Sequence, residues 1–184
     1  MSNITKKAMA QSLKKMLLVK DLDKITITDI TNDCGINRQT FYYHFKDIYD
    51  LLEWIFANEV VEKIEKETTI ETWQENFKYV LDYMLKNKKF IIKTYNSLSR
   101  KTLLDFLFKQ YNTIFIEIVN DLSKNYNITR ENKVFIANFY KYGFAGIIEN
   151  WIVTEMKESP ESIIKKLDVM ISGSFEEAVR KMSN

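Results

Sequence analysis

The side chains that carry most acid–base, nucleophilic and metal chemistry are nearly absent from this chain, which has one histidine, His44, and one cysteine, Cys34, in 184 residues. A nucleophile needs a base held beside it, and a structural zinc site needs four nitrogen or sulfur ligands. The sequence therefore predicts no catalytic residue, no metal ligand and no cofactor. Cys34 is expected to pack as a small apolar side chain, and His44 to make a phosphate contact or a helix-end hydrogen bond. A different chemistry is offered by the adjacent pair Arg38 and Gln39. Arginine can pair bidentately with guanine and glutamine with adenine. Thr40 and Tyr42 supply hydroxyls suited to phosphate oxygens, and Tyr43 can touch either a base methyl or the backbone. The plainer reading of the two tyrosines is an amphipathic pair at a domain edge with wet hydroxyls.

Such residues read DNA only if a helix presents them. The stretch TDITNDCGINRQTFYYHF, residues 28–45, reads as two short helices around a turn at Gly35. Thr28 is the expected N-cap of the first, with Ile30 and Cys34 four apart on its inner face. Gly35 suits a turn that needs positive φ, Ile36 plugs it, and Asn37 is the expected cap of the second helix. Phe41 and Phe45 should face inward, leaving Arg38, Gln39, Tyr42 and Tyr43 outside. This is the arrangement of a helix-turn-helix, whose second helix lies in the major groove with its first turn toward the base edges.

Composition agrees. Hydrophobic residues make up 46% of the chain and charged residues 28%, which argues against disorder, and four Gly and one Pro are too few for the hairpins of a β-sandwich or barrel. An all-α fold follows. A single Cys allows no internal disulfide, no leader-like segment opens the chain and no run of about 18 apolar residues exists, so a cytoplasmic protein without a membrane partner is expected. The net charge is only +2, but residues 1–45 carry seven bases against four acids, and the remainder is near neutral. Lys6 and Lys7 lie on this basic head, as phosphate or minor-groove contacts or simply as a solvated face.

Around the motif the apolar spacing predicts about nine helices. The first is capped by Thr5 and runs to Val19. After the motif one long helix starts at Asp47, carries Ile48, Leu51, Leu52, Ile55 and Phe56 toward Val60 and Ile64, and closes in the run EKIEKE at 62–67. Five more are expected over 73–85, 89–98, 101–122, 129–156 and 161–182, with Ser159 as N-cap and Pro160 at the first helical position of the last. Aromatic residues crowd this second part, and most are expected to be core.

The order of a first helix, then ITITDITNDCGINRQTFYYHF, then a helix with Leu51, resembles the DNA-binding domain of the TetR family of transcription regulators. The match covers about residues 5–52, with Thr28, Ile30, Gly35, Ile36, Thr40, Tyr42, Tyr43, His44, Phe45 and Leu51 at the family's positions. The family usually carries a phosphate-contacting lysine near the start of helix 4; here that position is Ile48, with Lys46 two residues away. The short aromatic C-terminal part resembles that of regulators of dihydroxyacetone kinase operons.

The resemblance implies a three-helix head over 1–46 and a helical-bundle dimerisation and effector domain over 47–184. It implies a homodimer on double-stranded palindromic DNA, controlled by a small-molecule effector or a protein coregulator. The expected DNA-binding residues are Lys6, Lys7, Thr28, Asn37, Arg38, Gln39, Thr40, Tyr42, Tyr43, His44 and Lys46. Tyr83, Tyr95, Tyr111 and Tyr140 are the candidate effector-binding residues, each also a candidate core residue. Gly143, Gly146, Ile147 and Trp151, in YGFAGIIENWI, are the candidate dimer interface, since small residues let a second helix approach; local packing is the alternative. The rival reading of the whole chain is a helical protein-interaction module that never touches DNA.

Overall fold

The computed structural model describes residues 2–60, 62, 69–97 and 100–183. Among them are ten α-helices: α1 (Ser2–Leu17), α2 (Ile27–Cys34), α3 (Arg38–His44), α4 (Ile48–Glu59), α5 (Trp73–Lys86), α6 (Lys88–Tyr95), α7 (Arg100–Leu122), α8 (Arg130–Val153), α9 (Pro160–Ile171) and α10 (Ser174–Lys181). One 3-10 turn, Leu22–Lys24, lies between α1 and α2. The fourth helix closes at Glu59 with Val60 as its C-cap, short of the expected run toward Ile64, and residues 63–67 lie outside the described residues.

The chain packs as two compact units. The first takes residues 1–63 and 87–106, and the second takes 64–86 and 107–184. In the first, Met9, Leu13 and Leu17 of α1 are buried with Ile30, Phe41, Leu51, Leu52 and Ile55. Phe56 of α4 packs on Phe90 of α6 and on Phe106, with ring centroids 5.5 and 5.3 Å apart. Lys93 of α6 donates to the Lys20 carbonyl at 3.1 Å and lies 3.6 Å from Asp21, so α6 belongs to this unit although 28 residues separate Lys88 from Val60.

The second unit is centred on aromatic rings. Phe144 of α8 meets Trp73, Phe77, Tyr111 and Phe115 edge-on, with centroids 4.8 to 6.3 Å apart. Phe175 of α10 stacks on Tyr140 at 3.5 Å and on Phe115 at 5.9 Å. Such clusters bury large apolar area and add a geometric preference for edge-to-face pairs. Gln74 of α5 donates to Asp168 of α9 at 2.6 Å.

Several element ends differ from the expectations. The first helix begins at Ser2 with Thr5 inside it rather than capping it, and closes at Leu17 rather than Val19. The cap of α2 is Thr26, not Thr28: its hydroxyl accepts from the Asp29 N–H at 3.1 Å, and the Asp29 carboxylate accepts from the Thr26 N–H at 2.9 Å. This reciprocal capping box satisfies two otherwise orphaned donors and fixes where the helix starts. The last expected helix is two, because Gly173 adopts φ +71° between α9 and α10. The eighth helix closes at Val153 rather than Met156, and Glu155 and Met156 take φ of 56° and 51° in the turn that follows. Ser159 and Pro160 cap α9 as expected, the Ser159 hydroxyl accepting from the Ser162 N–H at 3.2 Å.

Candidate nucleic-acid interface

The site is built from the turn outward. Gly35 sits at φ +65°, and a side chain there would meet no atom within 4 Å, so backbone conformation rather than space demands glycine. Its N–H and that of Ile36 donate to Thr31 and Asn32 carbonyls, closing α2. Two residues later the Asn37 side-chain oxygen accepts from the Thr40 N–H at 2.7 Å and from the Thr40 hydroxyl at 2.9 Å. Turn and cap together aim α3. Asn37 and Thr40, both expected to touch DNA, are thus tied to each other, and each keeps spare hydrogen-bonding capacity at an exposed helix start.

Two rings anchor α3 from behind. Phe41 is fully buried and Phe45 nearly so, with centroids 5.9 Å apart, and Phe45 meets Trp54 of α4 edge-on at 6.0 Å. The outward face then carries Arg38, Gln39, Tyr42 and Tyr43, all exposed. Tyr43 is 82% exposed and Tyr42 50%. Arg38 is held only by a long contact, its Nη2 3.4 Å from the Tyr42 hydroxyl. His44 is half-buried with its ring edge-on to Tyr43, centroids 4.9 Å apart. Exposed tyrosine rings beside a guanidinium that makes no ion pair among the described residues form a surface able to take base edges and phosphates together.

The basic head is less free than its charge suggests. Lys14 pairs with Glu59 of α4, Lys15 with Asp33 at 2.8 Å, and Lys20 with Asp29 at 3.8 Å. The bonds from Thr26, first the backbone N–H and then the hydroxyl, hold the Asp29 carboxyl below the usual carboxylate range, with Lys20 adding a smaller attraction. Lys6 lies over aromatic rings instead of an acid, its ammonium 5.6 Å from the Phe45 centroid and 6.0 Å from that of Trp54. That cation–π platform keeps Lys6 beside α3. Lys7 and Thr28 are exposed.

At the start of α4, Ile48 is half-buried and brings no charge. The first turn is satisfied by carboxylates: Asp47 accepts from the Asp50 N–H, and Asp50 accepts from the Lys46 N–H, both at 2.9 Å. Lys46 itself is exposed. Sequence reasoning passed over Thr26 and Trp54. The first was legible as T-x-x-D before an apolar residue; the second works through a tertiary contact.

Of the candidate effector tyrosines, Tyr83, Tyr111 and Tyr140 lie in the second unit, where Tyr111 and Tyr140 both meet the Phe115 ring with centroids 6.2 Å apart. Tyr95 is buried under the Arg100 guanidinium at 4.5 Å and belongs to the first unit; Tyr83 is half-buried in the second. Tyr140 shares a 2.8 Å hydrogen bond with Ser174. Tyr111 lines an apolar cavity of about 30 Å³ with Trp73, Phe77, Phe115 and Phe144, and its buried hydroxyl has no partner among the described residues. Burial pushes the Tyr111 phenol well above its ordinary pKa.

On α8, Gly143, Gly146 and Ile147 are exposed, whereas Trp151 lies in the core with its indole N–H donating to the Glu158 carbonyl at 2.8 Å. Phe135, Phe139 and Tyr142, expected with the core aromatics, are 63%, 69% and 60% exposed on the same face as the glycines. No helix among the described residues is long and apolar enough to cross a membrane.

Comparison with known proteins agrees with this geometry. The TetR_C_8 family model, a transcriptional regulator C-terminal region, matches residues 71–173. The HTH-type dhaKLM operon transcriptional activator DhaS of Lactococcus lactis subsp. lactis is 27% identical over 154 residues, 83% of this chain and 81% of that protein. A solved structure of the dihydroxyacetone kinase operon activator DhaS superposes with a TM-score of 0.70 at 23% identity, over 98% of this chain and 99% of that one. NalD, described as the secondary repressor of the MexAB-OprM multidrug efflux pump in Pseudomonas aeruginosa, superposes with a TM-score of 0.57 at 12% identity, over 100% of this chain and 98% of that one. These relatives are regulators rather than enzymes. With a matched C-terminal region of that type behind a head built to present α3, the chain belongs to the TetR family of DNA-binding transcription regulators.

Proposed function

We propose that the protein acts in the cytoplasm as a homodimer on a palindromic operator, with residues 1–46 meeting DNA and 47–184 providing dimerisation and control. The observation that carries this reading is the outward face of α3, where Arg38 and Gln39 occupy the first turn and Tyr42 and Tyr43 the second, over the buried Phe41 and Phe45. Arg38 and Gln39 read bases; Lys6, Lys7, Thr28, Asn37, Thr40, Tyr42, Tyr43, His44 and Lys46 hold the phosphates and set the register.

Two copies join through the exposed face of α8, where Phe135, Phe139, Tyr142 and Ile147 flank Gly143 and Gly146 and Trp151 stiffens the helix from inside. One recognition helix reads few bases, so two spaced about 34 Å apart supply the specificity. An effector or coregulator that prefers one arrangement of the second half shifts the population of head spacings and thereby occupancy. The similarity to a dhaKLM operon activator supports control of dihydroxyacetone metabolism as the biological setting.

The direct test is a titration of the protein into a duplex from its own upstream region at several salt concentrations. Specific binding should weaken as salt rises, with a log–log slope proportional to the phosphates contacted. No binding at low salt would sink this reading.

A further inference from the structure

The interior cavity beside Tyr111 has room for little more than a water molecule, and its walls are apolar. A much larger concave surface of the second unit lies elsewhere, in a groove of about 630 Å³ between the later half of α7 and the first half of α8, a volume within the range of small-molecule sites. Ile116 and Ala137 form part of its floor, and Asn112, Asn120, Arg130 and Lys133 supply its polar groups.

Charge sets this groove apart. In the same unit Lys78, Lys124, Lys166, Arg180 and Lys181 are all engaged with carboxylates. Arg130 and Lys133 have no such partner among the described residues, although they stand three apart on one face of α8. The acids of the flanking segments are Glu131 on α8 and Glu117 and Asp121 on α7; Asp121 is paired with Lys124 at 2.5 Å. Lys141, one helical stretch further along α8, donates to Asn138 at 2.7 Å and reaches the Asn112 carbonyl oxygen at 3.5 Å. That contact leaves the Asn112 amide nitrogen as a donor. The wall is therefore rich in donors, with two cations that make no ion pair among the described residues beside the positive end of a 24-residue helix.

We propose that this groove binds a compact organic dianion, a phosphate monoester or a dicarboxylate of metabolite size, with Arg130 and Lys133 neutralising the charge and Asn112 and Asn120 donating to its remaining oxygens. The proposal rests on the reading of the second unit as the half that receives the effector. A dianion uses both cations at once, and charge-assisted hydrogen bonds are about twice as strong as neutral ones. A neutral polyol would leave both cations as they are.

Isothermal titration of the full chain with sn-glycerol 3-phosphate, malate, inorganic phosphate and glycerol tests this. Saturable one-to-one binding of the phosphate ester or of malate is expected, and which of the two binds tighter identifies the head group. Arg130→Gln combined with Lys133→Gln should weaken that binding about tenfold or more. Lys157→Gln with Lys165→Gln, on exposed lysines outside the groove, should leave it unchanged. Both double variants lie on the surface, and equal melting temperatures without ligand establish that they fold. Absence of dianion binding, equal affinity in both double variants, or binding of poly-glutamate without binding of the small dianions would overturn the proposal. Operator binding, measured separately without ligand, is unaffected by any of these outcomes, so the two readings fail independently.

Discussion

Arg38 stands in the first turn of α3 with one weak 3.4 Å tie to its own helix, so little must be broken for it to engage a base. Its replacement by alanine is expected to cost about 1–3 kcal/mol in operator affinity and to relax preference at one base position, as read by binding to a panel of single-base variants. A uniform loss across the panel would reassign Arg38 to a phosphate. Lys7 is exposed, and Lys7→Gln should instead weaken all sequences alike and reduce the salt slope by about one unit. An unchanged slope would remove Lys7 from the interface. In the second unit, Glu177 accepts from Arg180 at 2.7 and 2.9 Å and from Lys181 at 3.1 Å, which depresses its carboxyl to about 2. A depressed carboxylate contributes stability that is present above the ordinary glutamate range and lost as pH falls through the folded value. Glu177→Gln should therefore lower the melting temperature slightly at neutral pH, and the gap should close as pH approaches 2. A gap that persisted there would mean the glutamine acts through packing.

Among the helices, α8 does two jobs with opposite faces. Its inner residues Tyr140, Phe144, Ile148 and Trp151 are core, and its outer stripe exposes Phe135 and Phe139, with Tyr142 partly covered by Phe108 of α7. Phe139→Glu should shift sedimentation from dimer to monomer while leaving the helical signal intact; a variant that stays dimeric would move the interface elsewhere. Local signals made much of this architecture legible in advance. Gly35, Asn37, Thr129, Ser159 and Pro160 each act within four residues of themselves, and each does what its type dictates. Thr26 is flanked by Ile25 and Ile27 and so reads as part of the link before Thr28, but the helix start is decided by Asp29, three positions after Thr26. The break at Gly173 escaped detection because Ile163, Leu167, Ile171, Phe175 and Val179 keep a four-residue apolar spacing straight through it, and all five are buried. Periodicity reports which side is apolar; it is blind to one residue in a left-handed conformation.

For the whole molecule, the chain passes between its two compact units at 63/64, 86/87 and 106/107, the last inside the continuous helix α7. Linear reading could not foresee that α6 joins the first unit, since Phe56 finds Phe90 and Asp21 finds Lys93 across long stretches of sequence. For the same reason the +3 charge of the head overstated its free cations: Lys14, Lys15 and Lys20 are held by Glu59, Asp33 and Asp29. The recognition surface was readable because it is contiguous in sequence, whereas the surroundings of Tyr83, Tyr95, Tyr111 and Tyr140 are set by tertiary packing, as where Tyr111 and Tyr140 meet at Phe115. The central claim is that two copies of this chain place two α3 helices on one duplex. Sedimentation of the protein with a duplex from its own upstream region measures this most directly. The saturated complex should hold an even number of protomers per duplex and be lost when Arg38 and Gln39 are both replaced by alanine. A saturated complex of one protomer per duplex, or a complex indifferent to that double replacement, would contradict it.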